Sequence, residues 1–507
     1  MRFEESPNSI LKKFQMGNIS QNIYKKVLNF SSGIPKFREL ALDHGSKKLY
    51  NYFITRNPEN LPLKVQYMRY QALNNLLHTI NLAFSDGRFS ERVRHRLVSN
   101  FVGNVITGSR KRQTPFQQTF GYYPPTFLTI SPTKKCNLTC KGCYANSSKK
   151  NDNTLDFNIF QRILDEKREK WGSHFNVISG GEPLMYSSLG KDLFDILNMN
   201  RQDYFMMYTN GTLITRDIAK KMADAGNITP AISVEGWENE TDARRGKGVF
   251  KKIQQAIENL LSEGVPFGIS ITATRQNAET ILSDDFIEYY FAQQGAIYGW
   301  IFQYMPIGRC YTIDMMVTPE QRLRMLTRQI DLLYNRNLFL IDFWNGGPMS
   351  AGCIAAGRSG GYFYIDWDGN IAPCVFFPYY ISNIYNLYAD GRDLTSILES
   401  QYFKAIRNWQ NLYVNRGLDK RCNGKKVHNL FMPCPIRDHY AFARKAILVH
   451  DAVPMDKDAA KALIDVDYRK RMMEYDSKLQ TLLDPMWDEG FSTPAVQSQD
   501  TVSETDL

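Results

Sequence analysis

The chain has 507 residues, 62 Lys and Arg against 52 Asp and Glu, and is 43% hydrophobic, 13% aromatic and 22% charged. This balance excludes wholesale disorder and fibrous classes, and at roughly 150 residues per domain it allows several domains. Eight cysteines are too sparse for a disulfide scaffold, so no disulfide partner is expected.

No run approaches the roughly 20 apolar residues that span a bilayer, and the opening MRFEESPNSILKKF lacks a signal-peptide core. A cytoplasmic chain is expected. Residues 1–120 read as a basic, helical N-terminal domain. Residues 1–115 hold 19 Lys and Arg against 7 Asp and Glu. In residues 65–82, Val65, Met68, Leu73, Leu76, Leu77 and Ile80 recur at three- and four-residue steps, which predicts a helix with that face buried. The basic surface suits peripheral contact with an anionic membrane at its inner face, at roughly 1 kcal/mol per cation. It also suits a nucleic acid, or a cap with a solvated positive face.

Pro124-Pro125 opens a second regime, residues 121–315. Short apolar runs at 126–130, 175–179, 204–209, 230–234, 267–272 and 300–304 alternate with helical patterns at 157–170, 189–197, 216–225 and 250–262. Six strands alternating with helices predict a parallel sheet of right-handed βαβ units, with ligands at the carboxyl ends of the strands. Residues 316–440 form a third region. It starts with a capped helix at Thr318-Pro319-Glu320-Gln321, and its residues 340–440 look loop-dominated. Residues 441–490 return to a helical pattern, and 491–507 read as a disordered tail.

The segment SPTKKCNLTCKGCYA places Cys136, Cys140 and Cys143 in C-x3-C-x2-C directly after the first strand. Three thiolates on one loop can hold three corners of a [4Fe–4S] cube and leave one iron open. Haem attachment would need His where Tyr144 stands, a zinc site would want a fourth ligand nearby, and a thioredoxin-like pair leaves Cys136 unexplained.

With these residues the chain resembles the radical S-adenosylmethionine (radical SAM) superfamily from about Phe127 to Arg309. The resemblance implies an α/β fold: a partial (β/α)6 barrel with a helical N-terminal domain and a loop-rich C-terminal iron–sulfur domain. It implies a SAM-binding [4Fe–4S] cluster on Cys136, Cys140 and Cys143. It also implies reductive cleavage of SAM to a 5′-deoxyadenosyl radical, and a reductant protein of ferredoxin or flavodoxin type. Gly180, Gly181 and Glu182 resemble the family's GGE segment, which lies against the methionine amino group. Asn210 sits in a TNG-like segment. Ser233 and Glu235 resemble the ribose-contacting segment, where Asp is common in place of Glu235. Arg245 stands where an Arg can pair with the cofactor carboxylate, Tyr144 where an aromatic lies beside adenine, and Gln303 and Met305 at a strand end facing adenine and substrate.

Cys353 and Cys374 bracket C-x15-G-x4-C through Gly369, which resembles the auxiliary-cluster (SPASM or twitch) domain of the same superfamily. One auxiliary [4Fe–4S] cluster is implied, with Cys434 as third ligand and Cys422 as candidate fourth. Cys310 is expected to be a buried free thiol, and His439 a packing or hydrogen-bonding residue. The long N-terminal region and the motifs FGYYPP and WNGGP resemble long members that join or modify alkyl chains. The expected function is hydrogen abstraction from an amphiphilic, membrane-lipid substrate. The alternative is peptide or protein modification, although no winged-helix peptide-recognition pattern is visible. A purely structural or electron-carrying cluster would leave the GGE-like and ribose-like segments idle.

Overall fold

The computed structural model describes residues 35–415 and 428–492. Six strands form where apolar runs predict them: β1 (Phe127–Ile130), β2 (Phe175–Ile178), β3 (Tyr204–Thr209), β4 (Ile228–Val234), β5 (Gly268–Ala273) and β6 (Gly299–Gln303). Beyond them come β7 (Leu340–Asp342), β8 (Tyr364–Ile365), β9 (Asn370–Ala372) and β10 (Ser382–Asn383). The ten-stranded sheet has the order β10-β9-β8-β1-β2-β3-β4-β5-β6-β7. Strands β1 to β7 pair in parallel, and β8 joins β1 in parallel. A β8–β9 hairpin and β10 extend that edge antiparallel. Residues from each of β1 to β7 line one cavity, so the sheet curls around a common interior as a partial barrel. The segment 343–363 links β7 at one edge to β8 near the other and crosses the open side.

The crossover helices carry the stop signals expected of them. The helix Phe157–Trp171 is capped by Asp156, which accepts from Asn158 N and Ile159 N, and ends on Gly172 at φ +60°. Arg216–Ala225 ends on Gly226 at φ +71°. The later helix Pro319–Tyr334 opens with the capping box of Thr318 and Gln321.

The N-terminal region is helical from Pro35, with α1 (Pro35–Tyr50), α2 (Leu63–Ser85) and a π-helical stretch, Leu97–Thr107. It caps the amino end of the barrel. Arg112 donates to Gly172 O before β2, Arg96 to Arg201 O before β3, Arg92 to Asp224 O before β4 and Arg88 to Gly295 O before β6, at 3.0–3.2 Å. Ser90 N meets Gly264 O, before β5, at 3.0 Å. These arginines dock helices onto loops, as a structural cap does. No helix among the described residues is long and apolar enough to cross a membrane.

Two expectations need correction, at α2 and at the tail, and one needs detail. The buried face of α2 includes Val65, Met68, Ala72, Asn75 and Ile80, while Leu73 is 38% exposed. Asn75 takes the inner position because its amide donates to Leu333 O at 2.8 Å, in the helix Pro319–Tyr334. The loop-rich region 340–440 also carries helices, at Ile384–Ala389, Leu394–Leu398 and Gln401–Asn415. In Gln401–Asn415, Tyr402, Phe403, Ile406 and Val414 are buried, an apolar stripe at helical spacing. At the tail, Phe491 packs on Trp487 and Phe431, and Ser492 is fully buried; residues 493–507 lie outside the described residues.

Candidate active site

The loop after β1 carries Cys136, Cys140 and Cys143, and all three line a cavity of about 690 Å3 at the carboxyl ends of the strands. Cys136 Sγ accepts Leu138 N at 3.5 Å and lies 3.8 Å from Asn210 Nδ2. Burial pushes its thiol up to about 12. Burial also raises the Cys140 thiol, against the opposing charges of Arg245 and Arg244. Such thiols ionise only with a cation to hold. Among the described residues no three His, Cys, Asp or Glu side chains converge as a single metal ion requires. A cube spreads its thiolates over separate irons, and three soft donors on one loop beside guanidinium charge fit three corners of a [4Fe–4S] cluster.

The Gly180–Glu182 segment packs on this loop. Gly181 N donates to Thr133 O and Glu182 N to Lys135 O, both at 2.8 Å. A Cβ on Gly181 would stand 2.1 Å from Lys135 O, and one on Gly180, at φ +116°, would stand 2.8 Å from Thr133 O. The glycines therefore admit the cysteine loop, and both also line the cavity. Glu182 is fully buried and accepts Thr209 Oγ1 at 2.7 Å and Asn210 N at 2.8 Å, joining the ends of β2 and β3. Asn210 Nδ2 also reaches Asn137 Oδ1 at 2.8 Å, so the TNG-like turn grips the cysteine loop from its other side. Tyr144 OH pairs with Ser179 Oγ at 2.6 Å and accepts Gly180 N at 3.1 Å.

Ser233 lines the cavity at the end of β4, whereas the buried Glu235 carboxylate is taken by protein donors. Its Oε1 accepts Arg244 Nη1 at 2.5 Å and Arg245 Nε at 2.8 Å, and its Oε2 accepts Thr272 N at 3.3 Å. Both arginines line the cavity, so Glu235 aims two guanidiniums at it. Gln303 and Met305 also line it, and both contact Arg437: Gln303 Oε1 accepts Nη2 at 3.0 Å, and Met305 Sδ lies 3.7 Å from Nη1.

The second cysteine group opens on the same cavity through Cys353, Cys374 and Cys434. Gly369, at φ +82°, turns the β8–β9 hairpin that delivers Cys374. Cys353 Sγ accepts Gln410 Nε2 at 3.2 Å, and Cys374 Sγ meets Tyr362 OH at 2.9 Å and Phe376 N at 3.4 Å. Burial raises all three thiols, and the charges of Asp438, Cys353 and Cys374 push Cys434 up further. Three thiols lining one cavity, two of them with N–H or O–H partners, are a donor set that fits a second iron–sulfur cluster. Cys422 lies outside the described residues.

Of two other expectations, one fails and one holds. Cys310 is exposed, because it occupies a left-handed turn at φ +57° closed by Thr312 N to its own carbonyl. His439 is a hydrogen-bonding and packing residue as expected: Nε2 meets Met432 O at 2.7 Å and the ring lies 5.0 Å from that of Trp409. Arg309 is a site residue that motif reading missed. It donates to Cys140 O at 2.7 Å, Ser147 O at 2.5 Å and Asn146 Oδ1 at 3.2 Å, clamping the far side of the cysteine loop. Its position after β6 was the available signal.

Residues 130–284 match the family model described as "Radical SAM superfamily". Mycofactocin maturase MftC of Mycolicibacterium smegmatis is 29% identical over 304 residues, 57% of this chain and 74% of that protein. The sporulation killing factor maturation protein SkfB of Bacillus subtilis is 24% identical over 272 residues, 50% of this chain and 60% of that protein. The crystal structure of Streptococcus suis SuiB bound to S-adenosylmethionine superposes at a TM-score of 0.48 with 17% identity, covering 59% of this chain and 71% of that one. The cysteine loop, at the carboxyl end of a partial parallel barrel, lies inside the residues that match this model, so residues 130–284 form a radical SAM domain.

Proposed function

We propose that this chain is a radical SAM enzyme that modifies a peptide or protein by removing hydrogen from a side chain held in the cavity between its two cysteine groups. The observation that carries this reading is the shared cavity: Cys136, Cys140 and Cys143 line it together with Cys353, Cys374 and Cys434. One substrate can then be addressed from both sides. Relatives that are named as maturases, matched well beyond the 155 residues of the family model, support a peptide or protein substrate.

When bound, a [4Fe–4S] cluster on the first cysteines and SAM supply the 5′-deoxyadenosyl radical. The chain's own residues supply the setting. Gly180, Gly181, Asn210 and Ser233 form the cradle, Arg244 and Arg245 present positive charge for the SAM carboxylate, and Gln303 and Met305 stand at the substrate side. Glu182 and Glu235 hold these groups in place. Tyr144, Phe302, Phe343 and Phe376 form an aromatic wall, with ring centroids 5.3–6.0 Å apart between neighbours, that keeps water from a reactive intermediate. A ferredoxin- or flavodoxin-type protein is the expected electron donor. Anaerobic incubation with SAM, reductant and side-chain-deuterated peptides tests the reading: deuterium in 5′-deoxyadenosine supports it, and turnover that never takes label from any peptide removes the peptide substrate.

A second reading, an amphiphilic substrate, is favoured by the apolar lining of the cavity below the cysteines, through Phe175, Val177, Met206, Trp300 and Phe339. Flotation of the holoenzyme with anionic vesicles at low salt tests it. Association supports it, and its absence counts against it.

A further inference from the structure

The cavity continues below the cysteines along the barrel axis. Strand β3 lines it with Tyr204, Met206 and Tyr208, every second residue of the strand. At about 3.3 Å per residue, Tyr204 to Asn210 makes a passage of roughly 20 Å. In a closed (β/α)8 barrel, layered side chains fill this space; here Val177, Met206, Ala231 and Tyr298 pack as one such layer, and the cavity continues past it.

The amino end of the passage meets α2 and the Leu97–Thr107 helix through Leu73, Leu76, Phe101 and Val105. Leu73 lines the cavity while 38% exposed, and the other three are half-buried. The cavity thus reaches the surface beside Leu73. Two of the leucines whose spacing predicts a packed helix face therefore border open space.

The wall chemistry selects the occupant. Thr229 and Tyr298 hydroxyls pair at 3.0 Å, Thr229 Oγ1 donates to Pro266 O at 3.0 Å, and Arg69 is held by Glu59 at 2.7 Å. A peptide laid here would find few partners for its N–H and C=O groups, Arg69 Nε and Trp300 Nε1 being donors that only a carbonyl could use. Leaving the rest unpaired is costly in an apolar setting. A hydrocarbon has none to satisfy. Trp300 Nε1, buried without an acceptor, marks a depth at which an oxygen on such a chain would find a donor.

We infer that the barrel axis below the cysteine site binds a single hydrocarbon chain, acyl or prenyl, which enters at the amino end between α2 and the Leu97–Thr107 helix. This rests on the amphiphile reading and gives that substrate its route to the cysteines.

The test titrates anaerobic full-length holoenzyme with cis-parinaric acid, a fatty acid whose fluorescence rises in apolar surroundings. Wild type is compared with Leu76→Trp, which fills the passage, and Leu73→Glu, which charges its exposed mouth and leaves the core intact. SAM cleavage stimulated by phosphatidylglycerol vesicles is measured alongside. Saturable binding in the wild type, at least tenfold weaker in both variants, is expected. Binding that both variants retain at full strength overturns the passage, even if vesicles stimulate cleavage and the amphiphile reading stands. Absence of binding to wild type also overturns it, and the vesicle assay then reports separately on the amphiphile reading.

Discussion

Arg437 Nη2 donates to Gln303 Oε1 at 3.0 Å, and this bond joins the end of β6 to the short helix that begins after Cys434. Arg437 also donates to Tyr304 O at 2.6 Å and lies 5.0 Å over the Trp344 ring. Gln303 Nε2 reaches Asp342 Oδ2 at 2.8 Å, and Asn345 Nδ2 meets the same oxygen at 3.1 Å. Asn345 Oδ1 accepts Arg322 Nε at 3.0 Å, and Arg322 pairs with Asp438, whose Oδ2 accepts Cys434 N at 3.2 Å. The circuit starts and ends beside Cys434, so this cysteine and the cavity-lining end of β6 are held as one unit.

Replacing Arg437 by Leu leaves Gln303 Oε1 and Tyr304 O buried without this donor. At about 1–3 kcal/mol for each of the two unsatisfied groups, the expected loss is about 2–6 kcal/mol, read from denaturant unfolding. Arg437→Lys is expected to recover little, because an ammonium cannot reproduce the planar fork.

Gly181→Ala sets a methyl group against Lys135 O, where the ideal contact is 2.1 Å. The backbone of the cysteine loop must move, and iron bound at Cys136, Cys140 and Cys143 is expected to fall by more than half after anaerobic reconstitution. Gly45→Ala, whose added Cβ meets only Leu77 Cδ1 at an ordinary 3.6 Å, serves as the control and should retain iron.

The auxiliary site is expected to hold its own cube. A Cys353→Ala/Cys374→Ala variant should lose about four irons relative to wild type. An unchanged count would show that these cysteines hold no cluster.

Asp476 gives the fold a pH dependence. Burial holds its carboxyl up at about 8, Oδ2 accepts Tyr440 N at 3.0 Å, and Oδ1 is buried without a partner. The folded chain keeps this proton until about pH 8, while the unfolded chain releases it near pH 4. Stability from this group is therefore lost as pH rises from about 4 to 8, and is constant above. Asp476→Asn should remove the loss and gain at least about 1.4 kcal/mol over wild type at pH 8 relative to pH 5. Unfolding titrations at pH 5, 6.5 and 8 measure it.

The strands and crossover helices of the barrel were readable because buried parallel strands are short apolar runs and the helices carry caps such as Asp156 and stops such as Gly226. The cysteine trios were readable because thiols at these spacings are rare outside metal sites. The three-residue β7 escaped because so short a run carries too little signal to separate it from a loop. The helix Gln401–Asn415 escaped because the Gly and aromatic density around it masked its stripe. The roles of Glu182 and Glu235 were not readable: their partners Thr209 and Arg244 are set by folding, and a carboxylate in a motif does not say whether it faces ligand or protein. Arg309, Arg437 and Asp342 act through contacts with residues distant in the chain, which no local pattern encodes.

The most direct measurement is 5′-deoxyadenosine release by the anaerobically reconstituted full chain with SAM and a low-potential reductant, beside Cys140→Ala. Release by wild type and none by the variant is the predicted result. A wild-type chain that carries iron on the first cysteine trio yet neither binds nor cleaves SAM would contradict the account.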